Sequence, residues 1–312
     1  MKNLTRFLIL LPGTVWGISF IAVELVLLDV QPITITLIRS LISVVMLLIL
    51  LRLAGGYLPR TFKDWWPFFL LALVNQAAPF ALSSWAQIYI EGGLASIYLA
   101  IMPLFTVVLA AIFTTDEKLT FWKGVGVTIG LIGIVVLIGP AAFEGIGINI
   151  IAQLAVIGSA LMYAIGAVYA RFVYPLQPPE LKGWALRLRI VTAQFVMAII
   201  MLIPFSFLLE DPLAIRPSAQ TWWLLVFLGI GVTGLATVTY FFLIEELGAG
   251  TAAMTIYIIP IAGVITGILV LSEPFRWQMA VALVLILGGI AITNLGNRTA
   301  PKISQKITPE PN

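Results

Sequence analysis

Between Phe7 and Leu295 the chain passes through one apolar run after another, each about 20 residues long and joined to the next by a short link. A helix rising ~1.5 Å per residue crosses a ~30 Å hydrocarbon layer in about that length. Lipid offers no hydrogen-bond partners, so a crossing segment must satisfy its own backbone, and an α-helix does so. The runs fall at roughly 7–28, 32–54, 65–89, 93–114, 120–139, 148–171, 187–209, 221–244, 249–271 and 277–295. They predict an all-α membrane protein of ten transmembrane helices. Composition agrees: 61% of residues are hydrophobic and 10% charged, whereas soluble domains carry about 25% charge.

Charge gives the direction of the spans. Alternate links lie on opposite sides of a membrane, and Lys and Arg collect on the cytoplasmic side. Fourteen of the 17 basic residues fall on the side of the N-terminus, Arg216 and Arg276 on the other, and Arg39 inside a span. Both termini are therefore expected in the cytoplasm, in a multi-pass protein of the inner (plasma) membrane. The run after Lys2 and Arg6 is too long for a signal peptide and is read as a retained span. Arg187 and Arg189, where the seventh span begins, are expected to snorkel to the interface. The polar stretch 298–312 reads as a disordered cytoplasmic tail. The chain has no Cys and no His, which removes disulfides, thiolate or imidazole metal sites and Cys or His catalysis. The basic residues form no patch for nucleic acid, and no phosphate-binding glycine loop appears. Neither a metal nor a cofactor is expected.

A weak internal repeat runs through the spans. A shift of 157 residues carries Trp65-Trp66 onto Trp222-Trp223, Gly93 onto Gly250, Ala95 onto Ala252 and Pro103 onto Pro260. Two repeats are expected, 1–140 and 141–297. Each has five spans, an odd number, so the second copy must be inverted in the membrane, a common plan for secondary transporters. Pro103 and Pro260 interrupt spans 4 and 9 near mid-depth and deprive the carbonyls of Leu99 and Ile256 of their usual donors. Such backbone is tolerated there only against protein or a wet cavity, so both prolines are expected to bend helices around a central site.

Polar and aromatic residues mark the faces that would line it. Gln76, Ser83 and Gln87 share one face of span 3; Thr233, Thr237 and Tyr240 share a face of span 8. Trp16 and Phe20 in span 1, Tyr163 in span 6, and Tyr98 and Tyr257 just before the prolines complete the candidate lining. Intramembrane charges are rare and usually paired. Glu24, about four residues inside the outer end of span 1, and Arg39, seven residues past Pro32, could meet at one level as an ion pair. Alternatively, Glu24 carries a proton or meets a substrate amine. GxxxG pairs at Gly13/Gly17, Gly126/Gly130 and Gly263/Gly267 allow close helix packing without establishing a homodimer.

The segment Tyr89 to Gly139, YIEGGLASIYLAIMPLFTVVLAAIFTTDEKLTFWKGVGVTIGLIGIVVLIG, and its counterpart LGAGTAAMTIYIIPIAGVITGILVLSEPFRWQMAVALVLILGGIAITN resemble the end of an EamA repeat. WGISF at 16–20 and TLIRS at 36–40 are similar to the first- and second-span signatures of that family, part of the drug/metabolite transporter superfamily. The resemblance covers about residues 4–296. It implies two repeats around a cavity lined by spans 1, 3, 4, 6, 8 and 9, and ATP-independent export or exchange of small metabolites, often amino acids. It also implies structural roles for Glu117 and Glu273 at the ends of spans 4 and 9. The expected function is thus a secondary transporter of small amphipathic solutes, with protons as a candidate partner, and not an enzyme. A cationic-drug exporter using Glu24 as counter-ion is the alternative; a passive channel is a third.

Overall fold

The structure is a computed structural model and describes residues 8–114, 119–139, 147–247 and 254–299. The regular secondary structure of the described residues is entirely helical, with no strand. The helices are α1 (Leu10–Val26), α2 (Pro32–Leu53), α3 (Phe62–Ala86), α4 (Gly92–Phe113), α5 (Phe121–Ile138), α6 (Ile148–Val173), α7 (Gly183–Leu209), α8 (219–247), α9 (Thr255–Leu271) and α10 (Trp277–Thr299). Helices α2 to α8 are long and apolar enough to cross a membrane; α1, α9 and α10 are shorter apolar helices.

Local chemistry sets the ends. Pro32 starts α2 at a position whose N–H would be unused in any case. Thr61 and Asp64 cap α3 reciprocally. Ser218 caps α8 by accepting from Thr221 N–H. Gly139, with φ +61°, stops α5 in a conformation that a side chain would strain. The stretch expected as a tail lies outside the described residues from 300 onward, and Arg298 and Thr299 still belong to α10. Glu117 and the junction of the expected repeats, 140–146, also lie outside them.

The packing repeats itself. Neighbouring pairs include α1–α9 and α4–α6, α3–α6 and α1–α8, α2–α8 and α3–α7. Exchanging α1–α5 for α6–α10 in order turns each of these pairs into its mate. The pairs α2–α7, α4–α9 and α5–α10 map onto themselves. The glycines serve these contacts: Gly17 lies against the backbone of Ile259 and Gly263, and Gly126 against that of Gly289. A side chain at Gly17 or Gly126 would meet main chain, which cannot swing aside.

One expectation is corrected and a second gains detail. The prolines do not act alike. At Pro103 the helix breaks: α4 stops at Leu99, Ala100 and Ile101 bond back to Ile97 and Tyr98 at 3.1 and 3.4 Å, and the helix resumes at Met102. Pro260 sits inside a continuous α9. It lies five residues past Thr255, so the carbonyl it crowds, that of Ile256, lies in the first turn of α9. Arg189 reaches the links that follow α2 and α6. It is buried, donates to Tyr57 carbonyl (2.8 Å) and Gln177 (3.0 Å), and lies over the Tyr57 ring.

Candidate functional site

A chamber of about 350 Å³ opens at the middle of the bundle, with walls from α1, α2, α3, α4, α6, α7, α8 and α9. Small-molecule sites commonly span ~300–1,000 Å³. Leu99 and Ile256, the residues whose carbonyls the two prolines leave without an i+4 donor, both line it.

Two π-helical segments shape the walls. One is Leu73–Ala77 in α3; the other is Phe227–Leu235 in α8. Shifted by 157 residues, the first falls inside the second. A π turn takes in an extra residue and loosens the i→i−4 ladder, and such bulges recur at functional sites. Here they carry Asn75 and Gln76 on one side, Val232 and Thr233 on the other, all four on the chamber wall. Val232 carbonyl accepts from Trp16 Nε1 at 3.1 Å. Asn75 donates to Gln194 at 3.3 Å.

Of the lining expected from sequence, Trp16, Gln76, Ser83, Gln87, Tyr163, Thr233 and Tyr240 are brought together on the chamber. Tyr98 and Tyr257 are not. Tyr98 is fully buried among Leu94, Ile97 and Ile101 with its hydroxyl unpartnered, and Tyr257 packs against the same cluster. Chamber residues that sequence reasoning did not single out include Asn75, Phe80 and Phe195. Trp16 packs on Tyr240 with ring centres 5.4 Å apart, and Phe80 on Tyr163 at 6.1 Å.

The expected Glu24–Arg39 ion pair does not form. Arg39 is 5% exposed and lies on the chamber wall. Its Nε and Nη2 donate to Thr233 Oγ1 at 3.2 and 2.9 Å, and its guanidinium sits 4.2 Å from the centre of the Phe80 ring. Glu24 is not on the chamber. It accepts the N–H of Gly92 at 2.7 Å, and the neighbouring N–H of Gly93 donates to Glu273 at 3.1 Å. The two carboxyl groups thus accept from adjacent N–H groups at the start of α4. The physical reason is competition: the first N–H groups of a helix lack intrahelical partners and carry partial positive charge, so a nearby carboxylate has a partner besides an arginine.

The same device recurs at that end of the bundle. Glu210, after α7, accepts from the N–H groups of Ile33 and Thr34 at the start of α2, at 2.8 and 2.7 Å. Asp29, after α1, accepts from Ser218 N–H at 3.0 Å and from the Thr221 hydroxyl at the start of α8. These bonds, with the Arg276–Glu91 ion pair at 2.8 Å, form a seam of carboxylates against helix starts. Hydrogen bonds from Thr221 and Ser218 hold the Asp29 carboxyl below its ordinary range.

A bundle of apolar helices enclosing a polar and aromatic chamber, with packing that survives exchange of its halves, is the architecture of a membrane transporter. The chain matches the EamA-like transporter family over residues 4–139 and 150–295, and belongs to it. It is similar to uncharacterized transporter YoaV of Bacillus subtilis, 23% identical over 277 residues covering 88% of this chain and 91% of that one. An uncharacterized transporter of Archaeoglobus fulgidus is 25% identical, covering 89% and 94%. The uncharacterized inner membrane transporter YedA of Escherichia coli is 24% identical, covering 92% and 89%. A solved crystal structure shares the fold with a TM-score of 0.66 at 18% identity, covering 96% of this chain and 100% of that one.

Proposed function

We propose that this chain is a secondary transporter moving small amphipathic metabolites, amino acids among them, across the inner membrane by alternating access. In this reading ten spans form two inverted repeats, 1–140 and 141–297, with both termini in the cytoplasm. The carrying observation is the chamber, walled by both halves and bounded by the two residues whose carbonyls the prolines release. The seam then faces outward and keeps the chamber closed on that side, so opening outward means parting carboxylates from helix starts. The test is counterflow in proteoliposomes: saturable, trans-stimulated uptake of labelled amino acids supports a carrier, and linear, unsaturable flux would mean a passive channel. Tags at both termini should be reached only from the cytoplasmic side.

The cationic-drug alternative has less support, because Glu24, the counter-ion it names, accepts from Gly92 N–H and does not line the chamber. Proton use has one observation in its favour. Glu24 and Glu273 accept from adjacent N–H groups of Gly92 and Gly93, and neighbouring carboxyl groups favour sharing a proton. Glu24→Gln should then flatten the pH dependence of transport while the protein still folds; an unchanged pH profile removes proton coupling from this pair.

A further inference from the structure

We propose that Arg39 is the carboxylate-recognition site of the chamber, and that the ligand enters as a small amphipathic carboxylate whose amine faces Gln76 and Gln87. This rests on the carrier reading and narrows it to a substrate class. A guanidinium has five N–H donors in a rigid fork that matches a carboxylate. The Arg39 fork is only partly used: Nε and Nη2 share Thr233 Oγ1, while Nη1 donates to none of the described residues. No carboxylate of the described residues pairs with it, although it is 5% exposed. A buried cation without a counter-ion is costly in a low-dielectric bundle. Glu24 and Glu273 are committed to helix N–H groups at the seam. The chamber therefore presents a desolvated, pre-positioned cation, held in place by Thr233 and the Phe80 face.

The opposite need is met on α3 and just after it. Oε1 of Gln76 and Oε1 of Gln87 are both buried and accept no hydrogen bond, although both residues line the chamber. Gln87 is 7% exposed and its amide nitrogen is already spent on Ser83 carbonyl at 3.3 Å. Two unfilled acceptors call for a donor-rich group, and an ammonium provides three N–H. The same wall carries aromatic rings, with Trp16, Phe80 and Tyr240. That combination fits a zwitterion with an apolar side chain. A lipophilic cation would face Arg39 with like charge.

The experiment uses the full chain purified in detergent and pairs each ligand with a version lacking one charge. Phenylalanine, leucine and methionine are each compared with their methyl esters, and phenylalanine with phenylpropionate, by thermal shift and by competition for counterflow in proteoliposomes. The acids should bind about tenfold or more tightly than their esters, and phenylpropionate should be weaker than phenylalanine. Arg39→Gln should erase the acid–ester difference, and Arg39→Lys should restore part of it. Esters as effective as acids, or no acid that binds, would overturn the assignment. Thermal shift reads binding without transport, so absent counterflow with intact acid preference would reject the carrier reading and leave Arg39 standing.

Discussion

Arg39 on the chamber wall and Glu24 at the seam are both long ionisable side chains set inside consecutive helices, and the fold treats them differently. Glu24 is satisfied by main chain: it and Glu273 take the first two N–H groups of α4. Arg39 is held by a hydroxyl and a ring, and no carboxylate of the described residues pairs with it. Helix starts offer fixed, oriented donors to carboxylates. Helix ends offer carbonyls to arginines, but Arg39 lies well inside α2, where every carbonyl is engaged in the ladder. The asymmetry leaves the seam self-sufficient and the chamber charged. Substitutions at the two places should therefore report on different properties, stability at one and binding at the other.

The largest stability effect is expected at Glu273. Glu273→Ala strips the N–H of Gly93 of its acceptor in a buried setting. Hydrogen bonds to charged groups contribute about 1.5–3 kcal/mol each, so thermal unfolding in detergent should show a loss of that order. Arg39→Gln should cost less than half as much in the same assay while abolishing acid–ester discrimination. If the two variants melted alike and both still discriminated, the division between seam and chamber would be broken.

A finer test acts on Thr233 alone. Thr233→Val keeps the shape of the wall and removes the one hydroxyl that accepts from both Nε and Nη2 of Arg39. Side-chain hydrogen bonds between membrane helices average about 0.6 kcal/mol. Stability should move by no more than about that amount, and affinity for a carboxylate should fall a few-fold as the guanidinium loses its fixed orientation. An unchanged affinity would mean that the Phe80 face alone positions Arg39.

The helices and their repeat were legible because lipid imposes a length and a composition that single residues cannot hide. Most of the chamber was legible for a related reason: Gln76, Ser83, Gln87, Thr233 and Tyr240 are polar where lipid-facing positions are apolar. Tyr98 and Tyr257 misled because an aromatic residue before a proline fits a core as well as a cavity, and only packing decides. The π segments left no hydropathy signal, since one extra residue in a turn changes which face a side chain occupies and not what it is. The pair of Gly-rich or Asn-bearing stretches at one offset, Leu73–Ala77 and Phe227–Leu235, was the available hint. Glu24 was given the wrong partner because charge patterns in a sequence show side chains only. Its real partner, the N–H of Gly92, has no side chain to read.

The smallest effect is expected at Asp29, the one seam carboxylate in an exposed link, and it tests whether the seam works by charge. Thr221 and Ser218 lower its carboxyl from the ordinary value. A carboxyl lowered on folding favours the folded state at pH values above its unfolded pKa, about 3.9. That contribution fades as pH falls through the lower folded value, where the carboxylate takes up a proton in both states. The melting difference between wild type and Asp29→Ala should therefore be flat from neutral pH down to about 4 and shrink below it. A difference that stayed constant into strong acid would mean that Asp29 acts through its shape and not its charge. The seam would then be a packing contact at this position, and its likeness to the Glu24–Gly92 and Glu273–Gly93 contacts would end with the geometry.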